Sequence, residues 1–561
     1  AAAQAMRSGS ITCLIEVSPW IGGQISAQGV SAIDESLTMR ANQNFSQDWL
    51  AFKQLIREQP VDVPPWLDLP ASRTVADINA CWVGTLCFPP KAGHKAAQQW
   101  LAIASQEAPN SRWSAATAFK GAEFDQSGRE ITAIYAVRRK PRQPDYVPQG
   151  RLSAELSQWY AWSETDTFEK TPVRLQAPEN KRLIVIDATD TGELVGWADL
   201  PYRLGSEAKT TTGEVNAAKR DNPDCTQAFT YPFAIALQKS SNFETLIDLP
   251  NLKEYLPRQP GYSREEHRRD YQIEGFPRFS GRSFFHYRRI FSTTQNDPFT
   301  GTPALGDISM MNWNRGNDWS LMNPPLILNR KQLQASGQLQ NWQGGISTIA
   351  LKHGEDHALF FAEWLLETQS LPNFPLVYLA GEAAPMGTKS GLSMIPYIRE
   401  GRRILGRSAQ GQNEFMLRES DVRKDLSQGR DFTATKVAVT HYDIDIHGCR
   451  YRNWESSGEA ASAPAREFVI RPIEIPLESL IPQEVDNLLM GGKAIAVTHI
   501  VNAATRIHHS EWSVGAASGA IAGWLTTTPQ GQSLNPHDLL QPEVMPTVQA
   551  YLMQQGLRLN W

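Results

Sequence analysis

At 561 residues, with 41% hydrophobic and 20% charged side chains, the chain reads as globular and is too long for one ordinary core. A net charge of −5 without a long basic run excludes nucleic acid as the expected partner. No stretch reaches the roughly 18 apolar residues that a bilayer span requires; Val514–Leu525 is the longest small-apolar run.

The five cysteines, Cys13, Cys81, Cys87, Cys225 and Cys449, are odd in number, scattered and without a CxxC pair. They predict buried free thiols rather than a disulfide framework or a zinc site. Ala1–Met6 lacks the charged region of a signal peptide. The compartment reading therefore leans to the cytoplasm, with an export signal upstream of Ala1 left open.

In chain order, Ala1–Gly9 reads as the end of a helix with a glycine stop. Ile11–Glu16 is a short apolar run ending in an acid, the pattern of a buried parallel strand. The Gly-rich loop PWIGGQISAQG follows, where backbone can come close to a ligand. His94–Glu107 has helical spacing. Arg112–Phe119 and Glu130–Arg138 read as strands around a turn at Asp125–Gly128. Leu183–Asp187 is a second buried-strand run, followed by the turn-like ATDTGE. Pro141–Pro148 and Pro257–Gly261 have linker composition. From about Tyr202 to Arg471 the chain is richer in Trp, Arg, Asn and Pro, with no βα alternation. That alternation returns at Asn487 with NLLMGGKAIAV and the small-residue helix Ser513–Trp524.

Three stretches carry a resemblance: LIEVSPWIGGQISAQGVSAIDE at Leu14–Glu35, LIVIDATDTGEL at Leu183–Leu194, and Asp486–Gly523. Together they resemble the FAD-dependent oxidoreductases whose flavin domain is of the glutathione-reductase type, distantly similar to fumarate reductase flavoproteins. The resemblance implies an α/β fold. A discontinuous Rossmann-like FAD-binding domain (1–200 and 471–561) would hold an inserted mixed α+β substrate or cap domain (201–470). It implies FAD as cofactor, a small organic substrate, and hydride transfer between the two. The GxGxxG phosphate loop and its strand are expected immediately before Ala1.

The resemblance also nominates residues. Glu16 would accept from the adenosine ribose, as an acid at the end of a second strand does. Trp20, Gly22, Gly23 and Gln24 would approach the cofactor, as would Thr189 and Asp190. Asp486 would meet ribityl hydroxyls, and Gly491 and Gly492 the pyrophosphate side. Gly515, Ala516 and Ala517 belong to a helix whose start, read at Ser513, would offer free N–H groups to the ring.

For catalysis, Arg506 could hold an anion, and His499, His508 and His286 could move protons. His509 lies beside them. His286 shares a face with Arg288 if SFFHYRRI is a strand. Arg399, Arg402 and Arg403 either line the interior or form a solvated basic helix end. In HYDIDIHG, strand alternation would put His441, Asp443, Asp445 and His447 on one face. That face could be a pocket wall or merely wet; no metal is assigned. The 17 Trp, among them Trp313, Trp319, Trp342 and Trp364, motivate a rival reading. It is a carbohydrate-binding or carbohydrate-processing protein that keeps a flavin fold without redox turnover.

Overall fold

The computed structural model describes residues 1–70, 72–78, 81–239, 268, 271, 273, 278–279, 281–408, 414–452 and 465–561. The Pro257–Gly261 segment lies outside them.

The short apolar runs become parallel strands. Cys13–Ile15 pairs with Arg112–Ser114, and Val185–Asp187 pairs with Leu488–Met490. Parallel strands are ordinarily buried on both faces. Leu488–Met490 obeys this rule, whereas Cys13–Ile15 and Val185–Asp187 keep part of their surface open. The helix Ala2–Arg7, closed by Gly9 at φ 79°, packs on the 20-residue helix His508–Thr527. The approach is so close that a Cβ on Gly519 would lie 2.1 Å from the Ala1 carbonyl oxygen. The expected strands around Asp125 form a meander, Thr117–Phe124 against Ile131–Pro141 against Phe168–Gln176, all antiparallel. The helix Leu152–Tyr160 connects its second and third strands.

The middle of the chain is mixed α and β. Its largest sheet is antiparallel, in the order Arg289–Phe291, Ile308–Met311, Phe233–Leu237, Leu376–Tyr378. Beside it runs the helix Thr348–Thr368, capped by the Ser347 hydroxyl accepting from Ala350 N at 3.2 Å. One continuous cluster of buried side chains takes in Val137, Phe233, Leu359, Ile475, Val497 and Ile521, so the middle shares its core with both ends. Among the described residues no helix is long and apolar enough to cross a membrane.

Four expectations are corrected. Cys81 is bonded to Cys87 and Cys225 to Cys449, so only Cys13 is free. The fold brings each pair's Cα atoms to 6.1 and 5.2 Å, a closeness that spacing along the chain cannot reveal. Phe284–His286 is a 3₁₀ turn and the strand starts only at Arg289, so His286 and Arg288 share no strand face. Trp319 and Trp342 are buried in the core, with Trp313 and Trp364 packed against it, which removes the aromatic surface that motivated a carbohydrate ligand. The small-residue helix begins at His508 rather than Ser513, and Glu511 N already bonds Ile507 O. Gly515, Ala516 and Ala517 are therefore interior to the helix and offer small side chains, not free N–H groups.

Candidate functional site

Glu16 follows the first strand, its N–H bonded to Ser114 O and its carbonyl accepting from Thr117 N. Its carboxylate accepts from Ser18 N at 2.8 Å. Burial pushes that carboxyl up to about 7, and the charge of nearby Asp190 adds to the rise. The chain then turns through Gly22 (φ 125°) and Gly23 (φ 56°), a path that favours glycine at both positions. A Cβ on Gly23 would meet nothing within 4 Å, so this turn borders open space.

Segments distant in sequence meet here. Lys493, next to Gly491 and Gly492, sends its ammonium to Asp190 at 2.5 Å and to Glu511 at 3.3 Å. Gln28 also donates to Asp190. Gln24 Nε2 donates to Glu511 at 2.5 Å and to the Arg506 carbonyl at 3.1 Å. Two carboxylates thus share one buried ammonium. Burial pulls Lys493 down, but Asp190 and Glu511 hold it above the ordinary lysine value. Glu511 is the acid that yields: burial and the Asp190 charge push it up to about 8.

Arg506 opens the polar side of this cluster. Its guanidinium donates to Tyr397 OH at 2.9 Å and to the Asp445 carbonyl at 2.8 Å. Despite burial it is held above the usual arginine value by Tyr397 and Asp445. Asp445 faces His447 at 3.0 Å, and His447 reaches Asp318, which Arg399 holds at 3.1 Å. Tyr442 OH donates to Asp34 at 2.8 Å. Arg288 feels the charge of Asp34, and its buried Nε and Nη1 have no hydrogen-bond partner.

The nominated residues divide. Glu16, Gly22, Gly23, Gln24, Asp190, Gly491, Gly492 and Arg506 belong to, or border, this connected cluster. Gly515 faces Ala1 and the Gly491 carbonyl. Trp20 stacks on His94, with centroids 5.8 Å apart. Thr189 is consumed by its own turn, with N and Oγ1 donating to Asp187 and Oγ1 accepting from Glu193 N. Asp486 precedes the Leu488–Met490 strand, at the end opposite Gly491, paired with Arg129 at 2.8 Å and Arg407 at 2.9 Å. Its position at that outer end separates it from the Lys493 cluster.

His508 is neutral, pulled down to about 4 by burial, and bonded to the Val30 carbonyl at 2.9 Å. His509 packs against Phe45 and Trp49. His499 bonds Glu400 at 2.8 Å inside a network with Arg403 and Glu207. His286 bonds Arg289 at 2.7 Å, from the 3₁₀ turn just before the strand Arg289–Phe291. Arg399, Arg402 and Arg403 are buried among carbonyls and acids, not on a solvated helix end. HYDIDIHG follows the strand Lys436–Thr440 instead of continuing it. His441 turns to Ser36 and Tyr442 to Asp34, so the expected single polar face is not formed. Among the described residues no group of three or more His, Cys, Asp or Glu could hold a metal ion.

Sequence reasoning missed Lys493, Glu511, Gln28, Tyr397 and Asp34. The lysine had a signal, since it directly follows the glycine pair, but nothing in the sequence announced its partners.

The half-open strands, the glycine turn beside open space and the buried, unpartnered Gln24 Oε1 and Gln28 Oε1 fit a polar cofactor laid against this cluster. A family model described as FAD dependent oxidoreductase matches residues 1–146 and 177–544. No curated protein and no solved structure matches the chain.

Proposed function

The chain belongs to the FAD-dependent oxidoreductase family, and from that premise we propose that its FAD lies along the cleft between Glu16 and the start of the His508–Thr527 helix. The observation that carries this reading is the polar chain from Asp190 through Lys493 and Glu511 to Gln24, which also donates to the Arg506 carbonyl, with the Glu16 carboxyl near enough for the Asp190 charge to act on it. Glu16 would accept from the adenosine ribose hydroxyls. Gly22 and Gly23 would let backbone approach the cofactor, and Gly491 and Gly492 would do the same from the other wall. The Gln24 and Gln28 carbonyl oxygens would take donors that the protein itself does not supply. Bound FAD supplies the chemistry of a two-electron hydride acceptor.

The remaining work falls to this chain. Lys493 and the helix start bring positive potential to the ring end of the cleft. Arg506 orients an anionic organic substrate, with Tyr397 and Asp445 fixing its guanidinium plane. Glu511, carrying its proton near neutral pH, holds a proton beside Lys493. His508 serves as a neutral wall. We read residues 201–470 as the cap that closes over the substrate. The two disulfides favour an oxidising compartment over the reducing cytoplasm.

Anaerobic mixing of flavin-loaded protein with organic carboxylates tests the reading. Bleaching of the flavin band by a donor is expected. Arg506→Ala should slow that bleaching by about 10²-fold, in the range of losing one oriented charge at an active site, while flavin content stays near wild type. Parallel loss of flavin and rate would make Arg506 structural and sink its assignment.

A further inference from the structure

The family match breaks off after Tyr146 and resumes at 177. The intervening stretch supplies Pro148 and Phe168 to a pocket of about 320 Å³ whose other walls include Trp20, Arg139, Tyr146 and Met394. That volume lies at the lower end of small-molecule pockets. The walls are mostly apolar, and the aromatic ones are fixed. Tyr146 meets Phe168 edge-on at 5.1 Å, its hydroxyl bonded to Glu155, and Trp20 lies stacked on His94.

Arg139 is the cation in this wall. It is 3% exposed, and its guanidinium lies 4.0 Å from the Trp159 ring centre, on the helix that the same stretch contributes. Its Nη1 and Nη2 are buried without a hydrogen-bond partner. The nearby acids are engaged elsewhere: Glu155 accepts from Tyr146 OH and Gln149 N, and Glu16 from Ser18 N. A buried guanidinium with two free donors beside an apolar cavity is complementary to one acceptor-rich anion carried on a flat apolar body.

We propose that this pocket is a binding site for a one- or two-ring monocarboxylate, its carboxylate taken by Arg139 and its ring held among Trp20, Tyr146, Phe168 and Met394. The pocket adjoins the proposed flavin path, because Trp20 follows the Glu16 turn and Arg139 feels the Glu16 charge, but its occupant is argued from Arg139 and the apolar walls and not from the reading of that path. Calorimetric titration of the flavin-loaded protein with 2-naphthoate, against uncharged naphthalene-2-carboxamide, tests it. Naphthoate should bind at least about tenfold more tightly than the amide, the scale of one charge-assisted contact. Arg139→Gln should abolish that preference. Val147→Trp, which fills the pocket and leaves Arg139 in place, should abolish binding of both. Equal binding of the two probes, no binding, or a preference that survives Arg139→Gln overturns the proposal. So does release of flavin by naphthoate, which would make the pocket part of the flavin's own cradle.

Discussion

The cleft between the chain's ends and the interior of its middle contain the same kinds of polar residue, used oppositely. In the middle, Arg289 is shared among Asp307, His286 and Asn296, and Arg402 among three carbonyls. Those bonds close within the protein and leave only the Arg402 Nε of this arginine pair without a partner. Around the cleft the accounts stay open: two acids contend for Lys493, and amide oxygens of Gln24 and Gln28 lack donors. A buried arginine or histidine therefore says little about function until its partners are counted. Unfinished hydrogen bonding next to open space is what distinguishes a site from a scaffold.

The sharpest way to break this contrast is Lys493→Met. It strands Asp190 and Glu511 without their ammonium and should cost about 3–5 kcal/mol, seen in denaturant unfolding. A loss below about 1 kcal/mol would mean the cluster is far wetter than its burial implies. Glu16→Ala should leave the fold intact and weaken FAD binding by about 1–3 kcal/mol; flavin titration giving unchanged affinity would remove Glu16 from the site.

The pH dependence is a third test. Glu16 and Glu511 have folded values raised to about 7 and about 8. The folded state thus holds protons that the unfolded chain has released. Their contribution is complete below the ordinary glutamate range near 4.5 and is lost as pH rises through 7 and 8. The depressed histidines, His508 among them, act oppositely only below about 6.5. Melting temperature should therefore fall between about pH 6.5 and 8.5, and Glu511→Gln should flatten that fall. An unchanged slope in the variant would place the titration elsewhere. The smallest effect belongs to the middle: His286→Gln should shift stability but leave substrate turnover within about twofold of wild type, as measured per bound flavin.

The strands at Cys13–Ile15, Val185–Asp187 and Leu488–Met490 were legible because parallel strands are written as short apolar runs, even where, as in the first two, part of the surface stays open. The Gly22–Gly23 pair was legible because few residues tolerate such backbone. The helix Thr348–Thr368 was not, since its residues are buried on most sides and no clean polar face marks its period. The start of the last long helix was misplaced because His508, His509 and Glu511 look like loop residues until their neighbours are known. Lys493, Glu511 and Tyr397 were invisible as a group, since partnership over hundreds of positions leaves no local pattern. The cysteine pairs failed for the same reason.

One feature of the cleft bears on how the protein is made. Lys493 and Asp190 stand 303 positions apart, and the strands beside them pair over a similar span. During synthesis the early strand Val185–Asp187 must wait, its edge unmatched, until Leu488–Met490 has left the ribosome. Contacts of such long range form slowly and expose sticky intermediates. Production of this enzyme should therefore respond to chaperone supply and to growth temperature, and a chain cut before Leu488–Met490 should go into aggregates.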